Sequence, residues 1–521
     1  MNKARKKRAP SPVYVSPNQL SLDCFKTPFE QQLKKDNRWV VLAHLIPWDE
    51  VCNLYMKHVG ISNTGRPPLS PRVVIGSIII KHICNLDDRE TVEQISENMY
   101  MQYFLGYSAF TPEAPFDASL FVEFRKRLGV DSLNAINERI VALKTKMESS
   151  KATSVTNTDT DRDENSNGTT DENITTHKGR VIFDATACPQ DIAYPTDLDL
   201  LSTAREKSEQ LIDKLYDPVL HGKKPRSYRL IARKRYLKTA QKRNKSRIEA
   251  RKAVGSQLRF LSRNLNSVNR LLDSYSAIPL KPKDYKYLLV IQTVYQQQKK
   301  MYDSQVHTVE DRIVSIHQPH VRPIVRGKAQ AKVEFGSKIH VSVIDGISFL
   351  DELSWDAFHE GNHMMGYVEK YKQRFGFYPR ELLADKIYCT RENRAKLKGL
   401  GIRLIAKPLG RPSAVQIHVR PGERNPIEGK FGQAKTGYGL NRIKARLKGT
   451  SESWIASIFL VLNLVKLAGA ALPCLLIRMA ESFSASIRKI FLIGFALNAE
   501  SYCSSYAQTG KPYRVKYKIA A

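Results

Sequence analysis

From Val333 to Phe349 the chain sets apolar residues at alternate positions: Val333, Phe335, Ile339, Val341 and Val343, then Asp345-Gly346, then Ile347 and Phe349. A period of two belongs to a strand with one buried face, and Asp-Gly suits the two left-handed positions of a type I′ turn. A long β-hairpin is expected, and a hairpin of that length needs a sheet around it. Upstream, Arg180 to Thr186 (RVIFDAT) reads as a short buried strand ending in an acid. Downstream come a helix near His363 to Phe375, a strand Glu381 to Ala384, a helix opened by Thr390, a strand Ile402 to Ala406 and a helix opened by Asn425-Pro426. Strands alternating with helices give an α/β class, with no internal repeat.

Helical periodicity flanks this region. In residues 70 to 105, Ser70-Pro71 is a start signal and Ile75, Ile78, Ile79, Ile83 and Leu86 share one face. Asp87 or Asp88 can cap a second helix bearing Val92, Ile95, Met99 and Tyr103. The pair is helix-turn-helix-like and is compatible with DNA reading or with plain packing. Glu148 to Thr176 is Ser, Thr, Asn and Asp with few large apolar residues, so it reads as a disordered linker. From about Leu198 to Ile316 the period is again helical.

That last stretch dominates the charge. The chain has 521 residues and a net charge of +32. Between Lys223 and Arg263 lie sixteen Lys/Arg and one acid, Glu249, with Tyr228, Tyr236 and Phe260 interleaved. A solvated helix surface is the plain explanation. Unpaired charge of that density repels itself without a polyanion, so nucleic acid is the expected partner, with Arg229, Arg233, Lys234, Arg235, Lys238, Lys242 and Arg243 as phosphate contacts and the aromatics free to stack.

Composition excludes other classes. A length of 521 residues with 42% hydrophobic content suggests about three domains and an ample core. The seven cysteines are scattered and in no CxxC pair, which fits a reducing compartment, the cytoplasm by default, and no structural zinc. The basic N-terminus is followed by no apolar segment of a secretory signal and reads as a solvated arm. Ile455 to Ile477 could be taken for a membrane span, but Asn463, Lys466 and Pro473 interrupt it, so a buried helix is expected. No phosphate-cradling GxxxxGK[ST] loop is present.

Three acids stand where structure does not require one. Asp184 interrupts Val181-Ile182-Phe183, Asp385 ends Leu382-Leu383-Ala384, and Glu428 lies in the first turn of a helix. Magnesium takes oxygen ligands, and two-metal phosphoryl transfer needs carboxylates converging from strand ends and a helix. Each acid has an ordinary rival. Asp184 and Asp385 could be turn or cap residues, and Glu428 would be the N3 residue of a capping box if Asn425 is N-cap and Pro426 is N1. Asp345 is explained by its turn and is left out. His359-Glu360-Gly361-Asn362-His363 fits the HExxH pattern of zinc proteases, but Gly361 and Asn362 are poor in a helix, so the two histidines should straddle a helix boundary. Glu428 and Lys435, seven apart, share one helix face, while Ile427, Phe431 and Ala434 face the sheet. Lys435 and Arg424 could then meet phosphates, or be solvated surface cations.

The segment RNPIEGKFGQAK, Arg424 to Lys435, resembles the signature around the third acid of DDE transposases of bacterial insertion sequences: Arg, three residues, Glu, six residues, Lys. RVIFDAT is similar to that family's first-acid strand and LLADKIY, Leu382 to Tyr388, to its second-acid segment. GRPPLSPRVVIGSIIIKHI, PFDASLFVEFRKRLG and RPIVRGKAQAKVEFGSKIHVSV resemble the insertion-sequence-5-like group, and the likeness runs from about residue 20 to 470. The signature's Tyr is replaced here by Pro421. The resemblance implies an RNase H-like mixed sheet with flanking helices, in which the basic helices are an insertion after the first strand. It implies catalytic Asp184, Asp385 and Glu428 holding two Mg2+ ions, with Mn2+ as a substitute, in a bacterial, nucleoid-associated protein. It also implies cleavage and strand transfer at an element's terminal inverted repeats in double-stranded DNA, and a homodimer. The rival functions are a magnesium-dependent nuclease of the same fold and an inactive DNA-binding regulator. The expected division is an all-α DNA-binding domain at 1–147, a linker at 148–177, core at 178–197, the basic helical insertion at 198–316, the rest of the core at 317–470 and a helical tail at 471–521.

Overall fold

The sheet is built outward from strand β1 (Arg180–Pro189). The structure, a computed structural model, describes residues 33–59, 68–155, 177–325, 333–406 and 422–468. The other strands are β2 (Arg322–Val325), β3 (Val333–Ile344), β4 (Ile347–Ser354), β5 (Glu381–Leu383) and β6 (Arg403–Ile405). β1 pairs antiparallel with β3 along one edge and parallel with β5 along the other, and β6 continues the parallel side. β2 and β4 pair with successive stretches of β3. The expected hairpin is present. Asp345 and Gly346 both take positive φ, 49° and 79°, the conformation that a two-residue turn between twisted strands demands. The result is a mixed α/β fold.

The N-terminal helices are α1 (Arg38–Leu45), α2 (Trp48–Val59), α3 (Pro71–Cys84), α4 (Asp88–Glu97), α5 (Met99–Leu105), α6 (Leu120–Arg127) and α7 (Val130–Val155). Two helices were expected over 70–105 and three form, because the Asn98 side chain accepts the amides of Tyr100 and Met101 and starts a new helix. Asp87 makes a capping box with Glu90 at the start of α4. Helix α3 is buried from Pro71 to Ile83, so it has no face for DNA. The exposed face of α4 carries Arg89, Glu90, Glu93, Gln94 and Glu97, a net acidic surface that phosphates would repel. Packing accounts for the buried residues of this pair. Helix α7 continues to Val155, through the expected start of the linker at 148; residues 156–176 lie outside the described residues.

After β1 come α8 (Asp197–Leu215), α9 (Pro218–His221), α10 (Arg229–Ala240), α11 (Arg247–Asp273) and α12 (Pro282–Ser304), which have an apolar core of their own around Leu201, Leu211, Leu261, Val268, Ile291 and Val294. Helix was expected to continue to Ile316. It stops at Ser304, where Gln305 turns left-handed. The chain closes with α13 (Met364–Phe375), α14 (Arg391–Gly399), α15 (Asn425–Gly437) and α16 (Lys448–Leu467). One sheet face receives Met364, Tyr367, Val368 and Tyr371 of α13, packed with Val181, Phe183 and Leu382. Helix α15 contacts β1 and β3, and α16 contacts β4.

Helix α16 is long and apolar enough to cross a membrane, yet it is buried within the protein. Trp454 lies 4.7 Å from the Lys81 ammonium, and Lys81 and Arg125 both pair with Asp88, which ties α3, α4 and α6 to it. Asn463 accepts the Ser348 amide at 2.8 Å and donates to Ser348 O at 2.7 Å and to Asn137 Oδ1 at 2.9 Å. The continuation toward Ile477, the tail at 471–521 and the basic arm before residue 33 lie outside the described residues.

Asn463→Leu is expected to lower stability by about 2–4 kcal/mol in denaturant titration, since it removes the partner of the buried Ser348 amide and of Asn137 Oδ1 and leaves Ser348 O only the longer bond from Asn137 Nδ2. An unchanged or raised stability would mean that this helix side faces an apolar medium.

Candidate active site

The parallel register of β1 and β5 pairs Ile182 with Leu383. Carried two residues further, it sets Asp184, midway along β1, level with Asp385, just past the end of β5. Asp184 shares a face with Ile182 and Thr186, the face opposite Phe183 and its α13 partners. Asp385 follows the last residues of β5 in extended conformation, and its Oδ1 accepts the Lys386 amide at 2.7 Å to start a short 3-10 turn, Lys386–Tyr388. Two acids 201 residues apart in sequence thus meet side by side.

Arg424 joins them. Its Nη2 lies 3.2 Å from Asp184 Oδ2 and its Nη1 3.1 Å from Asp385 Oδ1, so one guanidinium spans the two carboxylates, while its buried Nε has no hydrogen-bond partner. Asp184 also accepts the Ala185 amide at 2.8 Å. Burial nevertheless pushes its carboxyl up to about 6, against the Ala185 amide and Arg424, and with the charges of Glu360 and Asp385 adding to the rise. Asp385 is the open member, with 56% of its side chain exposed against 19% for Asp184.

Arg424 is itself the residue that caps α15, with no side-chain capping bond, and Asn425 is already helical. The capping box considered for Glu428 is therefore absent. Glu428 falls one position later than that motif requires, on an exposed site, and its carboxylate makes no ion pair among the described residues. It stands one turn beyond Arg424, and its amide points to Arg424 O at 3.5 Å. Ile427, Phe431 and Ala434 are the buried residues of α15, as the spacing predicted, and Lys435 is half-buried two turns from Glu428.

Two neighbours were not identified from sequence. Glu360, buried, pairs with the Lys338 ammonium at 2.8 Å and acts electrostatically on Asp184. It belongs to the HEGNH segment, which is a 3-10 turn, Glu360–His363, leading into α13. His363 pairs with Glu352 and His359 precedes the turn, so the histidines do not share a helix turn. Asn393, buried in α14, bonds to both 3-10 turns. In the sequence Gly361 marks a break in the helix but points to neither neighbour.

As to a metal, the donors are hard oxygens of the kind magnesium and manganese accept, and the raised Asp184 carboxyl marks a buried anion with too little positive charge beside it. The chemistry fits a divalent cation. Among the described residues, however, no three His, Cys, Asp or Glu side chains are gathered closely enough to hold one. The guanidinium takes the place between the aspartates.

The expected phosphate contacts Arg229, Arg233, Lys234, Arg235, Lys238, Lys242 and Arg243 are all exposed on α10 and the turn after it. Arg229 is engaged by Asp213 and Lys242 by Glu249. Of the aromatics, Phe260 is buried and Tyr236 donates to Asp199; Tyr228 alone stays exposed, with Arg263 4.6 Å from its ring.

A carboxyl held near 6 in the fold but near 3.8 when unfolded costs the metal-free protein up to about 3 kcal/mol once ionised. The penalty is absent below about pH 4, grows as pH rises toward 6 and is constant above it. Asp184→Asn should therefore raise the melting temperature of metal-free protein at pH 7.5 and leave it unchanged at pH 4; a lower melting temperature at pH 7.5 contradicts this assignment.

Comparison with known proteins adds the following. Residues 27–127 match a family described as a transposase domain, and residues 382–465 match one described as a transposase DDE domain. The chain is 33% identical over 178 residues to an uncharacterized protein, ORF8 in the nfe locus of Rhizobium meliloti, a stretch that covers 34% of this chain and 72% of that protein. No solved structure matches. The second family match begins at Leu382, three residues before Asp385, and runs through Arg424 and Glu428. The chain belongs to the DDE transposases of insertion sequences.

Proposed function

We propose that this transposase, of the insertion-sequence-5-like group, cuts the ends of its element and joins them to target DNA through Asp184, Asp385 and Glu428. The observation that carries the reading is the single Arg424 guanidinium between Asp184 and Asp385. It brings the family's first two acids together and starts the helix that carries the third. The strand order also supports an RNase H-like reading: a hairpin partner, β3, then β1, then two parallel strands, with the helical insertion entering after β1.

DDE transposases generally use divalent metal ions. Here Asp184, Asp385 and Glu428 would hold two Mg2+, with Mn2+ able to substitute. Cations held there would supply Lewis-acid activation of a water or a DNA 3′-hydroxyl and charge neutralisation at the leaving oxygen. The chain's own residues supply the rest. Burial and the Ala185 amide fix the Asp184 carboxylate, and the Lys386 amide fixes that of Asp385. Arg424, with an unpaired Nε and a planar fork, is suited to a phosphate when it leaves a carboxylate, and Lys435 to another further along the helix. The exposed cations of α10 would hold double-stranded DNA through its backbone, which positions the ends without reading sequence. Two copies, one per end, would act together at the bacterial nucleoid in the cytoplasm.

The test is a labelled terminal repeat incubated with a target plasmid and Mg2+ or Mn2+. Wild type should link the end covalently to the plasmid, and Asp184→Ala, Asp385→Asn and Glu428→Gln should each lose at least about a hundredfold in cleavage, because each removes transition-state stabilisation of several kcal/mol. Nicking without joining would make the protein a nuclease of the same fold, no cutting by wild type would make it a DNA-binding regulator, and near-normal cutting by one variant would remove that residue from the site.

A further inference from the structure

We infer that Asn393 is a positioning residue for Asp385, clamping the turn that follows this acid to the HEGNH turn. This rests on the reading of Asp385 as a metal-holding residue and deepens it. Asn393 is buried, and its Nδ2 donates to Gly361 O at 2.7 Å and to Tyr388 O at 2.8 Å. With a carbonyl at each of these contacts, only the amino end of the amide can face them, and both of its hydrogens are used. Its own position is set from the other side, where its backbone amide bonds to Thr390 Oγ1 in the first turn of α14.

The two clamped turns carry the acids that crowd Asp184. Tyr388 closes the 3-10 turn begun by Asp385, returning its amide to Asp385 O at 3.0 Å, and Cys389 Sγ contacts the same carbonyl at 3.3 Å. On the other turn, Glu360 is held by Lys338, which also donates to Phe358 O at 2.7 Å. The seam between the turns is narrow. A Cβ at Gly361 would lie 2.6 Å from Ile387 O, a backbone atom that cannot turn aside, so only glycine lets them close. Asp385 is more than half exposed, and its carboxylate is held by the Lys386 amide and Arg424. Its carboxylate is aimed by the backbone it ends, and that backbone is fixed by Asn393 across the seam. The HEGNH segment, which resembles a zinc motif, is by this account a buttress.

Partners that orient ligands from behind typically change metal affinity by about 10- to 100-fold when removed. The experiment titrates full-length, DNA-free protein with Mn2+ by calorimetry and measures end cleavage across Mn2+ concentrations, for wild type, Asn393→Ala, Gly361→Ala and Asp385→Asn. Asn393→Ala should weaken Mn2+ binding by at least about tenfold, leave the apparent affinity for DNA unchanged, and recover cleavage at high Mn2+. Gly361→Ala, which opens the seam from the opposite side, should do the same and stands in if Asn393→Ala does not fold. Asp385→Asn should not be recovered by Mn2+. Wild-type Mn2+ binding and Mn2+ dependence in both clamp variants, with Asp385→Asn inactive, would overturn the clamp alone. Normal Mn2+ binding and cleavage by Asp385→Asn would overturn the underlying assignment of Asp385, and the clamp with it.

Discussion

The site depends on a guanidinium shared by two carboxylates. Asp184 lies midway along β1 and Asp385 just past the end of β5, the parallel strand beside it, and strands in that arrangement lie about 5 Å apart. Two anions at such a distance, one of them largely buried, are unfavourable unless a cation stands with them. Arg424 meets that need from the cap of α15, whose Ile427, Phe431 and Ala434 fasten the helix to the protein. One arginine is not enough to return Asp184 to an ordinary carboxylate, and that residual shortage of positive charge is the property a cation-binding site requires. On the proposed function, stability is given up at this point for cation binding, a common trade in enzymes.

The rest of the fold divides the labour around that pair. β1 is the axis: it carries Asp184, receives the hairpin along one edge and the Asp385 strand along the other. The helices from Asp197 to Ser304 keep an apolar core apart from the sheet and turn a cationic surface outward, so charge suited to DNA is placed without disturbing the acids. The N-terminal helices bind α16 through Lys81, Arg125 and Trp454, and α16 in turn reaches the hairpin through Asn463. The buried Lys81 of α3 and Asp88 at the start of α4 serve this docking.

Local chemistry explains what could be read from the sequence. Asp345-Gly346 fixed a turn because two adjacent left-handed residues have few alternatives, and the period of α15 identified Ile427, Phe431 and Ala434 because that helix has one buried face. Asp184 and Asp385 stood out as charges in apolar runs, and Glu428 by its place in the signature that the segment resembles. What escaped depends on tertiary context. Helix α3 is buried all round, so its periodicity said nothing of its orientation. Asn98 falls inside the helical period of Val92, Ile95, Met99 and Tyr103, yet its side chain caps a new helix. Phe260 lies in a basic stretch, yet its helix turns it inward. The rival role for Glu428 turned on a one-residue shift of the helix start, a difference that spacing does not resolve. Glu360 and Asn393 were unreadable because their partners, Lys338, Gly361 and Tyr388, come from other elements.

The most direct measurement is a crystal structure of the protein soaked with Mn2+, with the ions located by their anomalous scattering. The account predicts peaks in contact with the carboxylates of Asp184, Asp385 and Glu428, and the Arg424 guanidinium withdrawn from at least one aspartate. Manganese bound elsewhere, or bound here with the Glu428 carboxylate more than about 10 Å from the other two, too far for ions about 4 Å apart, would contradict it.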